Sequence, residues 1–195
     1  MDIPEAIRDL QNLEITNYRR VWRPFMEKYN CQVIGELGVF QGANFDLMID
    51  HNPQVAIAID SWRDDGEISR NDMGYTQEEL NNQYRDFAFR MANKPFVKIY
   101  REHTYDAFVH FPDNYFDLAY VDADHSYDGC LKDVECWYPK IKPGKFFVGD
   151  DYRSARASKT GVKFGVIEAV NKFAKENNLE VYELPRYGWA IIKPL

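Results

Sequence analysis

The feature that most constrains this chain is its ending. A helix-patterned stretch, Lys163–Asn177, is followed by two strand-like runs near Leu179–Leu184 and Trp189–Ile192, joined by Pro185-Arg186-Tyr187-Gly188. Four residues cannot hold the crossover that two parallel strands need, so the pair is a hairpin and the chain ends on an antiparallel strand. Upstream, strand-like runs at Cys31–Leu37, Val55–Ile59, Phe96–Tyr100, Phe116–Val121 and Phe146–Val148 alternate with helical stretches. Those helices are predicted over 43–51, Thr76–Asn93, Thr104–Phe111 and Tyr127–Tyr138. In the second, Leu80, Tyr84, Phe87 and Met91 recur at helical spacing. Strands separated by helices mean βαβ units, an α/β fold and a mainly parallel sheet.

The 195 residues fit one domain, 1–195. Apolar positions in residues 4–28, among them Ile7, Leu10, Val21 and Phe25, predict that residues 1–30 form an N-terminal helical extension broken at Pro24. Residues 62–75 are mostly polar and aperiodic, and read as a lid loop or an insertion.

Charge narrows the partners. Lys plus Arg number 24 and Asp plus Glu 31, a net charge of −7, which works against nucleic-acid binding by phosphate neutralisation. No run approaches the roughly 20 apolar residues that cross a bilayer, so no membrane partner is expected. Residues 1–5 lack the basic head and apolar run of a secretory signal. Cys31, Cys130 and Cys136 form no CxxC pair, which argues against a disulfide framework or a thiolate zinc site. A reduced, cytoplasmic setting is expected, with self-association left open.

Three segments carry candidate chemistry. Glu36-Leu37-Gly38-Val39-Phe40-Gln41-Gly42 joins the first core strand to its helix, where glycines permit close backbone approach and the helix start offers amide donors. Asp60, 24 residues beyond Glu36, ends the next strand, where a carboxylate suits a ribose diol. The pyrophosphate pattern GxGxxG is absent, so the ligand expected is a nucleoside lacking a phosphate rather than NAD. The alternative is that these are tight-turn glycines with no ligand.

The other two segments are Val121-Asp122-Ala123-Asp124-His125-Ser126-Tyr127 and Gly149-Asp150-Asp151-Tyr152, each at a strand end. Parallel strands open on one edge, which brings Asp122, Asp150 and Asp151 together. Such acids repel unless a cation or protons intervene, and oxygen ligands suit Mg²⁺ or another divalent ion. The competing role for Asp124 and Ser126 is helix capping. His125 lacks a second histidine at zinc-ligand spacing.

Together, ELGVFQG, AIAIDSW and DLAYVDADHSYDGC through KPGKFFVGDDY resemble class I S-adenosylmethionine-dependent methyltransferases. The similarity spans about residues 32–193 and is greatest to the small bacterial branch related to macrolide-sugar O-methyltransferases, and more distantly to catechol O-methyltransferase. It implies a Rossmann-like, doubly wound sheet of seven strands with an antiparallel last strand. It also implies that Glu36, Gly38 and Gly42 shape the methionine-side pocket, Asp60 binds the ribose, and His103 and Thr104 border the adenine. Asp122 borders the same cofactor, and Asp122, Asp150 and Asp151 match the metal positions. The chain departs from that branch at Lys145, where a second glycine is common, and at His103, where a carboxylate or amide is common.

The implied reaction is metal-assisted O-methylation of a small hydroxylated molecule. His125 leads as general base because its ordinary pKa lies near neutrality, with Asp122 or Asp124 next. The rivals are a metal-independent methyltransferase and a non-catalytic nucleoside-binding module. The loop Arg153–Lys163, with Arg153, Arg156, Lys159 and Lys163 and no acid, suits an anionic acceptor or is a solvated surface loop.

Overall fold

A computed structural model describes residues 3–17, 19–64, 74–153 and 163–195. The chain opens with α1 (Glu5–Gln11), a short antiparallel hairpin of β1 (Ile15–Thr16) and β2 (Arg19–Arg20), then α2 (Arg23–Lys28). The N-terminal extension is therefore not wholly helical. The hairpin makes the break, and Pro24 lies in the first turn of α2. A proline there costs no helical bond, since first-turn N–H groups have no acceptor within the helix.

The alternation then follows the expected order: β3 (Val33–Leu37), α3 (Ala43–Met48), β4 (Val55–Ile59), α4 (Gln77–Met91) and β5 (Val97–Tyr100). It continues with α5 (Thr104–Ala107), β6 (Phe116–Val121), α6 (Tyr127–Trp137), β7 (Ile141–Gly149), α7 (Val166–Glu176), β8 (Tyr182–Leu184) and β9 (Gly188–Ile192). Caps fix two of the starts. Thr76 and Glu79 form a reciprocal capping box on α4, and the Ser126 hydroxyl accepts the Gly129 N–H on α6. Strand β7 begins earlier than the apolar run Phe146–Val148 suggests. Ile141 pairs with Phe116, the register then shifts, and Phe146 pairs with Leu118. The intervening Pro143-Gly144 hides the strand from a reading by periodicity.

Seven strands form one sheet in the order β5-β4-β3-β6-β7-β9-β8, with β9 antiparallel to both of its neighbours. Period-two alternation divides the core between the two faces. Ala56, Ala58, Leu118, Tyr120, Phe146 and Val148 pack with residues of α1 to α4, including Leu10, Phe25, Phe45 and Phe87. Ile57, Ile59, Ala119, Val121 and Phe147 pack with Ala107, Val134, Trp137, Val170 and Phe173 of α5 to α7. Each buried aliphatic or aromatic side chain contributes roughly 1.5–3 kcal/mol, which makes both helical layers integral to the sheet.

Register positions the site. Leu37 pairs with both Ile59 and Val121, and Val121 pairs with Gly149, so the parallel strands end level. Each next residue still donates to a neighbouring strand: Gly38 to Ile59 (2.8 Å), Asp122 to Leu37 (2.8 Å) and Asp150 to Val121 (3.1 Å). The side chains of Asp60, Asp122 and Asp150 therefore project from one edge. At the opposite edge, buried Asp117 accepts the N–H groups of Gln32 (2.9 Å) and Val33 (2.8 Å) and the ammonium of Lys142 (2.8 Å). Lys145, one of the departures from the family pattern, donates from Nζ to the Tyr29 carbonyl (2.6 Å) at the end of α2.

Candidate active site

A cavity of about 560 Å³ lies over the strand ends, at the point beside β3 where successive crossovers run in opposite directions. Ligands of open α/β sheets bind at such a point. Glu36 lies at its base and is only 2% exposed. Its Oε1 accepts from the Asn44 amide (3.0 Å), whose own oxygen accepts from the Trp22 indole (2.8 Å). Its Oε2 is buried with no hydrogen-bond partner among the described residues. Burial pushes the Glu36 carboxyl well above the usual carboxylate range, against the bond from Asn44. An incoming ammonium group would satisfy the orphaned oxygen and reverse that shift.

Asp60 accepts the Phe40 N–H (2.7 Å) on one oxygen and the Trp62 N–H (2.7 Å) on the other. Burial still raises its carboxyl pKa, outweighing these bonds. The Trp62 indole donates to the Phe40 carbonyl (2.8 Å), which ties the two loops into one wall. Phe40, Trp62, Asp151, Arg186 and Tyr187 all line the cavity with positive φ and none is glycine. Such strain gathers where a surrounding structure holds a site in shape.

In the same cavity, His125 Nε2 lies 3.0 Å from Asp122 Oδ1 and 3.0 Å from Asp151 Oδ2. Its ring stacks on Phe164 at 4.6 Å between centroids. A ring nitrogen between two carboxylates carries its hydrogen toward them. Asp151 also pairs with Arg153, whose guanidinium lies 4.9 Å from the Tyr187 ring centroid. Among the described residues, Asp122, His125 and Asp151 form the group whose metal-ligating atoms all lie within 4.8 Å of one another.

The side chains that come together thus differ from the expected metal positions, with His125 where Asp150 is expected. The Asp150 carboxylate turns to the Tyr120 hydroxyl (3.1 Å) and its own neighbour's N–H (2.9 Å), and burial lifts its pKa to about 6. Asp124 accepts the Ser126 N–H (2.8 Å), consistent with a local capping role. Gly42 lies off the cavity, at the start of α3. A Cβ there would lie 2.5 Å from the Phe87 ring, so this glycine serves packing against α4. Gly38, His103 and Thr104 do line the cavity, but the Thr104 hydroxyl donates to buried Asp133. His103 stacks on Tyr105 at 4.9 Å.

Sequence reasoning missed Arg19, Asn44, Tyr105, Arg186 and Tyr187 in the wall. None belongs to a local motif, and the hairpins that bring Arg19 and Arg186 are too short for periodicity to reveal what faces the cavity. Arg156 and Lys159 of the basic loop, and most of the expected lid, lie outside the described residues. Among the described residues no helix is long and apolar enough to cross a membrane.

The sheet order and the cavity at its carboxyl edge define a nucleoside-binding α/β fold of the class I methyltransferase type. Residues 36–152 match the family described as Methyltransferase domain, and the chain belongs to that family. It is 27% identical over 147 residues to uncharacterized protein R132 of Acanthamoeba polyphaga mimivirus, covering 72% of this chain. The matched stretch spans 58% of that viral protein's length. The O-methyltransferase NovP shares the fold with a TM-score of 0.63 at 15% identity, over 97% of this chain and 79% of that one. The O-methyltransferase TomG from Streptomyces achromogenes, solved in complex with SAM, aligns with a TM-score of 0.60 at 13% identity, over 98% and 91% of the two chains.

Proposed function

We propose that the chain transfers the methyl group of S-adenosylmethionine to a hydroxyl of a small molecule. One observation carries this reading: a single cavity is lined both by Glu36, whose Oε2 lacks a partner, with Asp60, and by the Asp122–His125–Asp151 group. The SAM bound by TomG, a protein of the same fold, supports it. Glu36 Oε2 would accept the ammonium of the methionine moiety. Asp60 would accept the ribose hydroxyls on the lone pairs that Phe40 and Trp62 leave open. His103, Thr104 and Tyr105 would border the adenine.

The sulfonium methyl is already activated, so alignment of the acceptor oxygen dominates, with near-attack positioning supplying roughly 7–11 kcal/mol. The Asp122–His125 pair would bind the acceptor hydroxyl and take its proton. With its hydrogen on Nε2, His125 would hold Asp122 in place while the Asp122 carboxylate takes the hydroxyl proton; His125 would be the base only in the tautomer whose hydrogen is on Nδ1, which leaves Nε2 free to accept. A divalent cation also fits the three groups, and when bound would anchor the acceptor oxygen and lower its pKa. An imidazole nitrogen in the set favours Fe²⁺ or Zn²⁺ over the Mg²⁺ that three aspartates suggest. The alternative is a metal-independent reaction, in which Arg153 neutralises Asp151.

S-adenosylhomocysteine should raise the melting temperature by binding the folded state, and NAD should not. Asp60→Ala should weaken that effect. Equal stabilisation by NAD would overturn the reading.

A further inference from the structure

The match to the methyltransferase family begins at Glu36, yet one charged group of the cavity comes from the preceding segment. Arg19 of β2 lines the same cavity as Glu36, and its Nε is buried without a hydrogen-bond partner. Its charge is close enough to oppose the rise in the Glu36 pKa, but no ion pair joins the two within 4.0 Å among the described residues. Two residues of the cavity wall thus each bury an unpartnered polar atom, a guanidinium N–H donor on Arg19 and a carboxyl oxygen acceptor on Glu36. Each is costly to bury unpaired, and each lacks its partner.

The strand carrying Arg19 is held in place by its neighbour. Arg20 is 4% exposed, donates to the Tyr120 hydroxyl (3.3 Å) and bonds to the Pro185 carbonyl. Gly188 leaves room for that guanidinium. Two residues on, Trp22 donates to Asn44, which in turn holds Glu36 Oε1 and leaves Oε2 without a hydrogen-bond partner. One short segment therefore places the cation and orients the anion.

We infer that Arg19 binds the α-carboxylate of the S-adenosylmethionine methionine moiety, so that Arg19 and Glu36 together recognise a zwitterionic amino acid end. The inference rests on the cofactor reading above and adds a ligand contact from outside the matched domain. A guanidinium suits a carboxylate because it can offer two parallel N–H bonds.

The test is calorimetric binding of two ligands, S-adenosylhomocysteine and its decarboxylated analogue 5′-(3-aminopropylthio)-5′-deoxyadenosine, to the wild type and to Arg19→Gln. The wild type should prefer S-adenosylhomocysteine at least roughly tenfold, the scale of a charge-assisted pair. Arg19→Gln should bring the two affinities within about twofold by weakening S-adenosylhomocysteine alone, while Arg19→Lys restores part of the preference. An unchanged preference in Arg19→Gln, or equal weakening of both ligands, overturns the inference. Failure of the wild type to bind either ligand would instead overturn the cofactor reading on which it rests.

Discussion

Gly38 packs against Asp122 so closely that a Cβ at position 38 would lie 2.5 Å from the Asp122 carbonyl carbon. The two residues follow β3 and β6, neighbours in the sheet, and Gly38 has φ 86°. The glycine is required by strand-end packing as well as by its turn. Gly38→Ala is expected to destabilise the protein by about 2 kcal/mol or more, since both the left-handed backbone and the overlap oppose a methyl group. A urea midpoint within error of wild type would count against this account.

Asp133 supplies a pH prediction. It is 1% exposed, Oδ1 accepts from Thr104, Oδ2 has no partner, and burial raises its pKa to about 7. A carboxyl whose pKa is higher folded than unfolded favours the native state at low pH, and that contribution is lost as pH rises through the folded value. Stability should therefore fall between about pH 4 and pH 7 on account of this group. Asp133→Asn keeps an acceptor for Thr104 and removes the buried charge, so it should flatten that fall. At pH 8 the variant should be the more stable, by an amount on the order of a few kcal/mol. Urea titrations at pH 5 and pH 8 measure the difference, and parallel pH profiles would refute it.

The Arg20 network makes a third. A Cβ at position 188 would lie 2.9 Å from the Arg20 guanidinium carbon, so Gly188→Ala must displace that group from its buried site. The loss leaves Tyr120 and Asp150 without their cation. A destabilisation of roughly 2–4 kcal/mol is expected, as for breaking a buried charge network. Thermal and urea unfolding would register it, and a neutral result would show that Arg20 has an alternative seat.

The metal proposal is decided by chelation. Exhaustive EDTA treatment should abolish methyl transfer, and added Fe²⁺ or Zn²⁺ should restore it. Asp151→Ala should lose metal-dependent activity while S-adenosylhomocysteine affinity stays within about threefold, since Asp151 would serve the metal and acceptor and not the cofactor. Full activity after chelation would establish the reading in which His125 and Arg153 alone neutralise the aspartates.

What the sequence determined by itself was the order of elements and the edge that bears the acids. Alternating periods of two and about 3.6 are local signals, and a three-residue link at 185–187 admits only an antiparallel return. Once parallel strands are in register, Asp60, Asp122 and Asp150 must emerge together. Tertiary structure decided which groups meet. Asp150 turns to Tyr120, His125 joins Asp122 and Asp151, Gly42 faces Phe87, and Arg19 reaches the cavity from a two-residue strand. Those choices depend on side-chain rotamers and on contacts between residues far apart in the chain, such as Arg20 with Pro185. No local pattern encodes them, because each is settled by which buried polar group finds a partner only when the layers have closed.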